Sequence, residues 1–181
     1  DMKFAYIYGT PPRDVKRVER LWNGNWGLAG FDTNVDTKTF EFEDGEEMAR
    51  VKATTTGHGF GSGNNCAEFC NNVHSLEVNG SEAWSWQIMQ ECADNPLYPQ
   101  GGTWVYDRAG WCPGMEGELY EFEITPWVEE GEVDLDYDIE YDPDGKYVFE
   151  SYVVTYGAPN AYNDVEISEI LAPSDFRLHS R

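Results

Sequence analysis

Glu132-Val133-Asp134-Leu135-Asp136-Tyr137-Asp138-Ile139-Glu140-Tyr141 decides the fold class. Apolar and acidic residues alternate without a break. Successive side chains of a strand point to opposite faces, so Val133, Leu135, Tyr137, Ile139 and Tyr141 form a buried row and the acids a wet one. A helix would scatter both sets around its axis. The same period recurs, less cleanly, near 2–8, 15–21, 38–43, 48–55, 73–78, 83–89, 118–125, 147–156 and 165–170, in runs rich in Thr, Val, Tyr, Phe and Trp. The run 147–156 is apolar on both sides and is expected to be a central strand.

Turn chemistry separates the runs at Asn23-Gly24, Asp44-Gly45, Asn79-Gly80 and Asp144-Gly145, the last expected to close a hairpin. Val15, Val18 and Leu21 give the one weak helical stripe. There is no internal repeat and no low-complexity tract. The fold class expected is all-β: an antiparallel two-sheet jelly-roll sandwich with an eight-stranded core, a single domain over 1–181 with 171–181 as a tail. Two long irregular segments, 57–65 and 92–118, lie beside the cysteines, and such loops on a β scaffold commonly carry function.

The chain has 181 residues, 34 acidic against 12 basic, for a net charge of −22. A surface this negative repels phosphate backbones and anionic lipid heads, which excludes nucleic acid and membrane as partners. No stretch approaches the roughly 18 apolar residues that span a bilayer. The first residue is Asp1, and no leader is visible, so the chain is expected to be processed or cut from something longer. Cys66, Cys70, Cys92 and Cys112 are an even set that fits a disulfide framework, with three connectivities open. The rival four-cysteine zinc site is disfavoured because the spacings do not form two tight knuckles. Disulfides imply an oxidising compartment: secreted or periplasmic.

Three motifs carry the chemistry: Cys66-Ala67-Glu68-Phe69-Cys70; Cys92 followed by Asn95-Pro96; and Asp107-Arg108-Ala109-Gly110-Trp111-Cys112-Pro113-Gly114-Met115. In this order and at similar separations they resemble the peptide-N-glycosidase F family, whose members carry a C-A-E-aromatic-C loop and a D-R-A-G-W-C-P-G-M block. Tyr8-Gly9-Thr10-Pro11 also resembles the passage between that family's two domains. The resemblance implies that this is the second of two eight-stranded jelly rolls. It implies disulfides Cys66–Cys70 and Cys92–Cys112, and hydrolysis of the amide between asparagine and N-acetylglucosamine without metal or cofactor. It places the motif glutamate, Glu68, in the cleft between the rolls, with Arg108 and Trp111 close by. The family's catalytic aspartate and a second glutamate come from the first roll, which this chain lacks. Phe69 stands where the best-known member has tryptophan, and the loop before Cys66 is shorter.

The residues themselves support parts of this. A Cys-x3-Cys ring is better suited to orienting Glu68 than to stabilising the chain. A fixed carboxylate can accept from a sugar hydroxyl or an amide, or donate a proton if its pKa is raised. Arg108 offers a planar charged fork that pairs with Glu68, holds a substrate carbonyl, or makes a structural ion pair with Asp107 or another acid. Trp111 either stacks on a sugar or packs against the disulfide. The catalytic candidates are thus Glu68 and Arg108, and the substrate-binding candidates Trp111, His58 and Asp107. Trp84 and Trp86 are expected in the core.

His58 and His74 invite a copper reading, but with His179 the chain has only 3 histidines, too few for clustered ligands. Glu140-x-Asp142-x-Asp144-Gly145 begins like a calcium loop but has Ser151 at the twelfth position; the acids from Asp134 to Asp144 read as a solvated strand and turn. Asn79-Gly80-Ser81 is a glycosylation sequon. The function expected is the C-terminal domain of a secreted glycoamidase, inactive alone, without cofactor. Its partners would be an N-glycosylated protein and the N-terminal jelly-roll domain. The alternatives are a non-catalytic glycoprotein- or glycan-binding module, or a structural domain.

Overall fold

Alternation along the chain becomes two facing sheets. The computed structural model describes residues 8–27, 30–59, 67–140 and 145–161. β1 (Arg13–Gly27), β10 (Lys146–Pro159), β3 (Met48–His58) and β8 (Tyr120–Glu123) form one antiparallel sheet in that spatial order. β2 (Lys38–Glu41), β9 (Glu132–Ile139), β4 (Val73–Val78) and β5 (Ser81–Gln87) form the other. A short ladder, β6 (Met89–Gln90) with β7 (Arg108–Ala109), stands apart. Among the described residues helix amounts to little more than one turn, α1 (Phe31–Asn34), and 3-10 turns at Cys92–Asp94 and Thr125–Trp127. This is the expected sandwich of two four-stranded sheets.

The decisive run behaves as its pattern requires. In β9 Val133, Leu135, Tyr137 and Ile139 are buried, while Glu132, Asp134 and Asp138 are exposed. β10 is central, paired with β1 on one side and with β3 on the other, the latter unbroken from Lys146–His58 to Tyr156–Met48. Phe149 of β10 meets Tyr137 of β9 across the sandwich at 4.3 Å, with Trp22 and Phe31 against the same ring. Each such ring stabilises the fold by about 1.5–3 kcal/mol through burial alone. Trp84 and Trp86 pack on Phe122 at 5.1 and 4.6 Å, at the margin of this core.

The strand expected at 15–21 forms, and the weak helical stripe within it does not: Val15 and Val18 lie in β1, opposite Tyr156 and Val154, and are 55% and 59% exposed. Bulges between Arg13 and Arg17 shift the register, so residues three apart share a face and imitate a helical spacing. Two turn expectations need correction. Asn23-Gly24 is not a turn but lies within β1, with Gly24 opposite Phe149. Asp144-Gly145 does not close a hairpin, because the strands it joins belong to different sheets. Turn residues mark where the chain bends, not which edge the next strand joins. Asn79-Gly80 does close the β4–β5 hairpin, with φ of 51° and 72° at its two residues. The expected strands near 2–8 and at 165–170, the tail, His179, Asp142 and Asp144 lie wholly or almost wholly outside the described residues.

His74, on β4, is fully buried between Trp86, Tyr137 and Tyr147. Its Nδ1 pairs with the Tyr137 hydroxyl at 2.9 Å, which also meets Thr55 Oγ1 at 3.1 Å. Nε2 has no hydrogen-bond partner. Burial lowers the imidazole pKa to about 3, so below pH 6.5 the unfolded chain takes up a proton that the folded chain refuses. The contribution of His74 is complete above about pH 6.5 and falls by on the order of 4 kcal/mol as pH drops toward 3. Urea titrations at several pH values will show this acid limb, and His74→Leu will flatten it by one proton.

Candidate functional site

β8 pairs with β3 only from Arg50 to Ala53, leaving the edge of β3 open from Thr55 to His58. Two other segments close against it. A Cβ at Gly57 would lie 1.8 Å from the Ala67 carbonyl oxygen, and one at Gly110 (φ +76°) would lie 2.0 Å from that of Thr55. Only glycine admits backbones this close. The turn Ala67–Cys70 and the Arg108–Trp111 segment are thus held against β3 with no side chain between them.

Hydrogen bonds complete the junction. The Glu68 N–H donates to the Gly59 carbonyl at 3.2 Å, and the Glu68 carbonyl accepts from Ala109 N–H at 2.9 Å. Glu68 Oε2 accepts from Gly59 N–H at 3.2 Å and Oε1 from Arg108 Nε at 3.1 Å. The carboxylate is fixed from two sides yet remains partly open to solvent.

Arg108 is 3% exposed. Its Nη1 donates to the carbonyls of Tyr106 (2.7 Å) and Trp104 (3.4 Å), and its Nη2 to the carbonyl and hydroxyl of Thr103 (2.9 and 3.0 Å). With the bond to Glu68, every N–H of the guanidinium is engaged. The fork sits 5.1 Å from the Phe69 ring and 5.2 Å from that of Trp111. Trp111 stacks on His58 at 5.3 Å and donates its indole N–H to the Gly57 carbonyl at 2.9 Å. His58 pairs with Thr56 Oγ1 at 2.8 Å. Burial lowers the His58 pKa; the negative charge of Glu68 opposes that, and Lys146 reinforces it.

The structure therefore brings Glu68, Arg108, Trp111 and His58 together. Asp107 stands apart from them: it accepts from Cys92 N–H at 3.2 Å and braces the loop at its disulfide. Cys92 and Cys112 are bonded, with Cα atoms 5.3 Å apart, and both are buried. Cys70 is also in a disulfide, and the expected Cys66–Cys70 pairing lies outside the described residues. Thr103, and the close backbone approach that Gly57 and Gly110 permit, escaped the sequence reading as parts of the site. The Gly of the D-R-A-G block was a usable signal, but nothing marks which carbonyls a guanidinium will meet.

Among the described residues no group of His, Cys, Asp and Glu could hold a metal ion. Asp134 and Asp136 instead accept from Thr39 (2.5 Å) and Thr37 (2.8 Å). No helix of the described residues is long and apolar enough to cross a membrane.

Comparison with known proteins follows the same outline. Residues 29–167 match the family described as Peptide-N-glycosidase F, C terminal. The peptide-N(4)-(N-acetyl-beta-D-glucosaminyl)asparagine amidase F of Elizabethkingia miricola is 31% identical over 130 residues, covering 62% of this chain and 35% of that protein. A crystal structure of a peptide-N(4)-(N-acetyl-beta-D-glucosaminyl) asparagine amidase superposes with a TM-score of 0.71 at 24% identity, covering 83% of this chain and 55% of that one. PNGase F, a glycosylasparaginase from Flavobacterium meningosepticum, gives 0.69 at 22% identity over the same shares, 83% and 55%. At these identities the solved structures show the fold. The chain spans between about a third and just over half of the length of these relatives.

Replacing Arg108 by Ala removes the charge that Glu68 faces and frees four contacts to the loop. The expected loss is about 3 kcal/mol in urea denaturation. Arg108→Lys recovers only part of it, because an ammonium cannot reproduce the planar fork.

Proposed function

The chain belongs to the peptide-N-glycosidase F family as a C-terminal domain, and from this we propose that it supplies one wall of a glycoamidase active site. The other wall comes from an N-terminal jelly roll. The substrate class is an N-glycosylated protein or glycopeptide, and the setting is an oxidising one, periplasmic or extracellular.

In the reaction, water adds to the side-chain carbonyl of the glycosylated asparagine. The C–N bond breaks, the nitrogen leaves with the sugar and takes up a proton, and aspartate remains. Activation of the water belongs to residues of the first domain, as the family resemblance implies. Glu68 is the residue of this chain that meets the substrate. Two of its acceptor positions are used by Gly59 and Arg108, and the outward ones are left for a sugar hydroxyl or the scissile amide N–H. His58, at the outer end of the aromatic stack, borders the same opening. Arg108 is a positioning residue: its donors are all committed, so it acts by fixing Glu68. Trp111 carries Arg108 and His58 against its ring and supports the site instead of stacking on the glycan. Asp107 holds the loop at Cys92.

The observation that carries this reading is the 3.1 Å contact between Glu68 and Arg108, which joins the two motifs of the family resemblance. A non-catalytic extracellular module is the second reading, favoured by the complete engagement of Arg108, which is also what a purely structural pair would show. The two differ in the fate of a glycopeptide. Incubated with the longest polypeptide that contains this chain, asparagine is expected to become aspartate by mass spectrometry, whereas the 181-residue chain alone leaves it intact. Glu68→Gln in the active polypeptide is expected to lower release at least about 100-fold with the fold intact. Unchanged release by that variant removes Glu68 from the mechanism.

A further inference from the structure

Of the large apolar side chains exposed among the described residues, Leu97, Tyr98, Val105, Tyr106, Met115 and Leu119 all lie on the segment between β6 and β8. Tyr98 is 75% and Tyr106 59% exposed. The segment that presents them is tightly bound to itself. The Asn95 amide donates to the Pro113 carbonyl, and Asn95 Oδ1 accepts from Leu97 N–H at 2.8 Å. Gln100 Nε2 reaches the same Pro113 carbonyl at 2.9 Å. Tyr98 meets Trp104 edge-on at 5.4 Å, and Arg108 gathers the carbonyls of Thr103, Trp104 and Tyr106. The backbone that presents these side chains is thus held in place before any ligand arrives, which lowers the ordering cost of binding.

The chemistry of the segment favours one occupant. A saccharide needs side chains that exchange hydrogen bonds with its hydroxyls. Here Asn95, Gln100, Thr103 and Arg108 are all bonded to the segment itself. What faces outward is largely aliphatic and aromatic, interspersed along the segment with the exposed acids Glu91, Asp94, Asp107, Glu116 and Glu118 and with no lysine. Such a ridge suits polypeptide that is apolar and neutral or basic, and disfavours acidic chains. On the reading of function above, the scissile amide belongs to an asparagine side chain, so peptide backbone must pass within one side chain's length of Glu68. The ridge is joined to Glu68 through Arg108, whose guanidinium touches both.

We propose that this apolar ridge is a peptide subsite, binding the polypeptide that flanks the modified asparagine. The inference rests on the glycoamidase reading but has its own readout. The probes are a labelled, unglycosylated peptide of about ten residues, with leucine, valine and lysine around a central asparagine, and free N,N′-diacetylchitobiose. By fluorescence anisotropy the 181-residue chain is expected to bind the peptide. Tyr98→Ala with Tyr106→Ala weakens binding about tenfold, and Tyr98→Leu, which keeps the apolar contact, leaves it within about twofold. Both positions are solvent-exposed, and near-UV circular dichroism will report an intact fold. Equal affinity in the double variant, no peptide binding, or competition of the peptide by chitobiose overturns the proposal. So does protection of Tyr98 and Tyr106 from hydroxyl-radical labelling in a longer, glycan-releasing polypeptide without substrate, which would make the ridge a domain interface. Peptide binding lost in the double variant, with no glycan release by any form, keeps the ridge and removes the amidase. Glycan release whose KM for a glycopeptide is unmoved by the double variant keeps the amidase and removes the ridge.

Discussion

The guanidinium of Arg108 is the point on which this end of the molecule depends. It joins the turn carrying Glu68 to the loop that runs from Thr103 to Tyr106, and it does so from a buried position between two aromatic rings. A buried cation is costly unless it is paired and its donors are satisfied. Here both conditions hold, and meeting them forces three loop carbonyls and one carboxylate to converge. The irregular backbone around the site is ordered because the charge must be satisfied.

The sandwich contributes a fixed edge. β3 and β10 run together over eleven paired positions without a shift, and Phe149 and Tyr137 lock that sheet to its partner. β3 then extends past the end of β8, and the backbones of the two site segments lie against the uncovered stretch. Contact between main chains leaves little room for adjustment, so the geometry at Glu68 follows directly from the position of the sheet.

Much of this was legible in the residues. The strict alternation in 132–141 determines which face of β9 is buried, and the two-sided apolar run at 147–156 places β10 in the middle of its sheet. Strand partnership was not legible at Asp144-Gly145, since a local bend does not say whether the chain returns to the same sheet. Nor were the bulges of β1, which displace Val15 and Val18 to positions that imitate a helix. At the site, the association of Glu68 with Arg108 follows from the two motifs that carry the family resemblance. The division of labour within them does not. Asp107 was read as facing substrate, and its bond to the Cys92 N–H was not foreseen, while Arg108 is held by carbonyls that every residue possesses and no sequence distinguishes. Whether a polar side chain is free to meet a ligand depends on its neighbours in space, and those were the part hidden from view.

The bond between Cys92 and Cys112 encloses the larger part of the exposed segment, including Arg108 and the Tyr98–Trp104 pair. Proteases cut first at exposed loop segments. Here one nick inside the ring separates no piece from the rest: both new ends stay on the same covalent frame, with Arg108 still tied to Glu68 on one side and to the disulfide on the other. The ring thereby gives the most vulnerable part of the surface a tolerance to single scission that an open loop of the same length would lack.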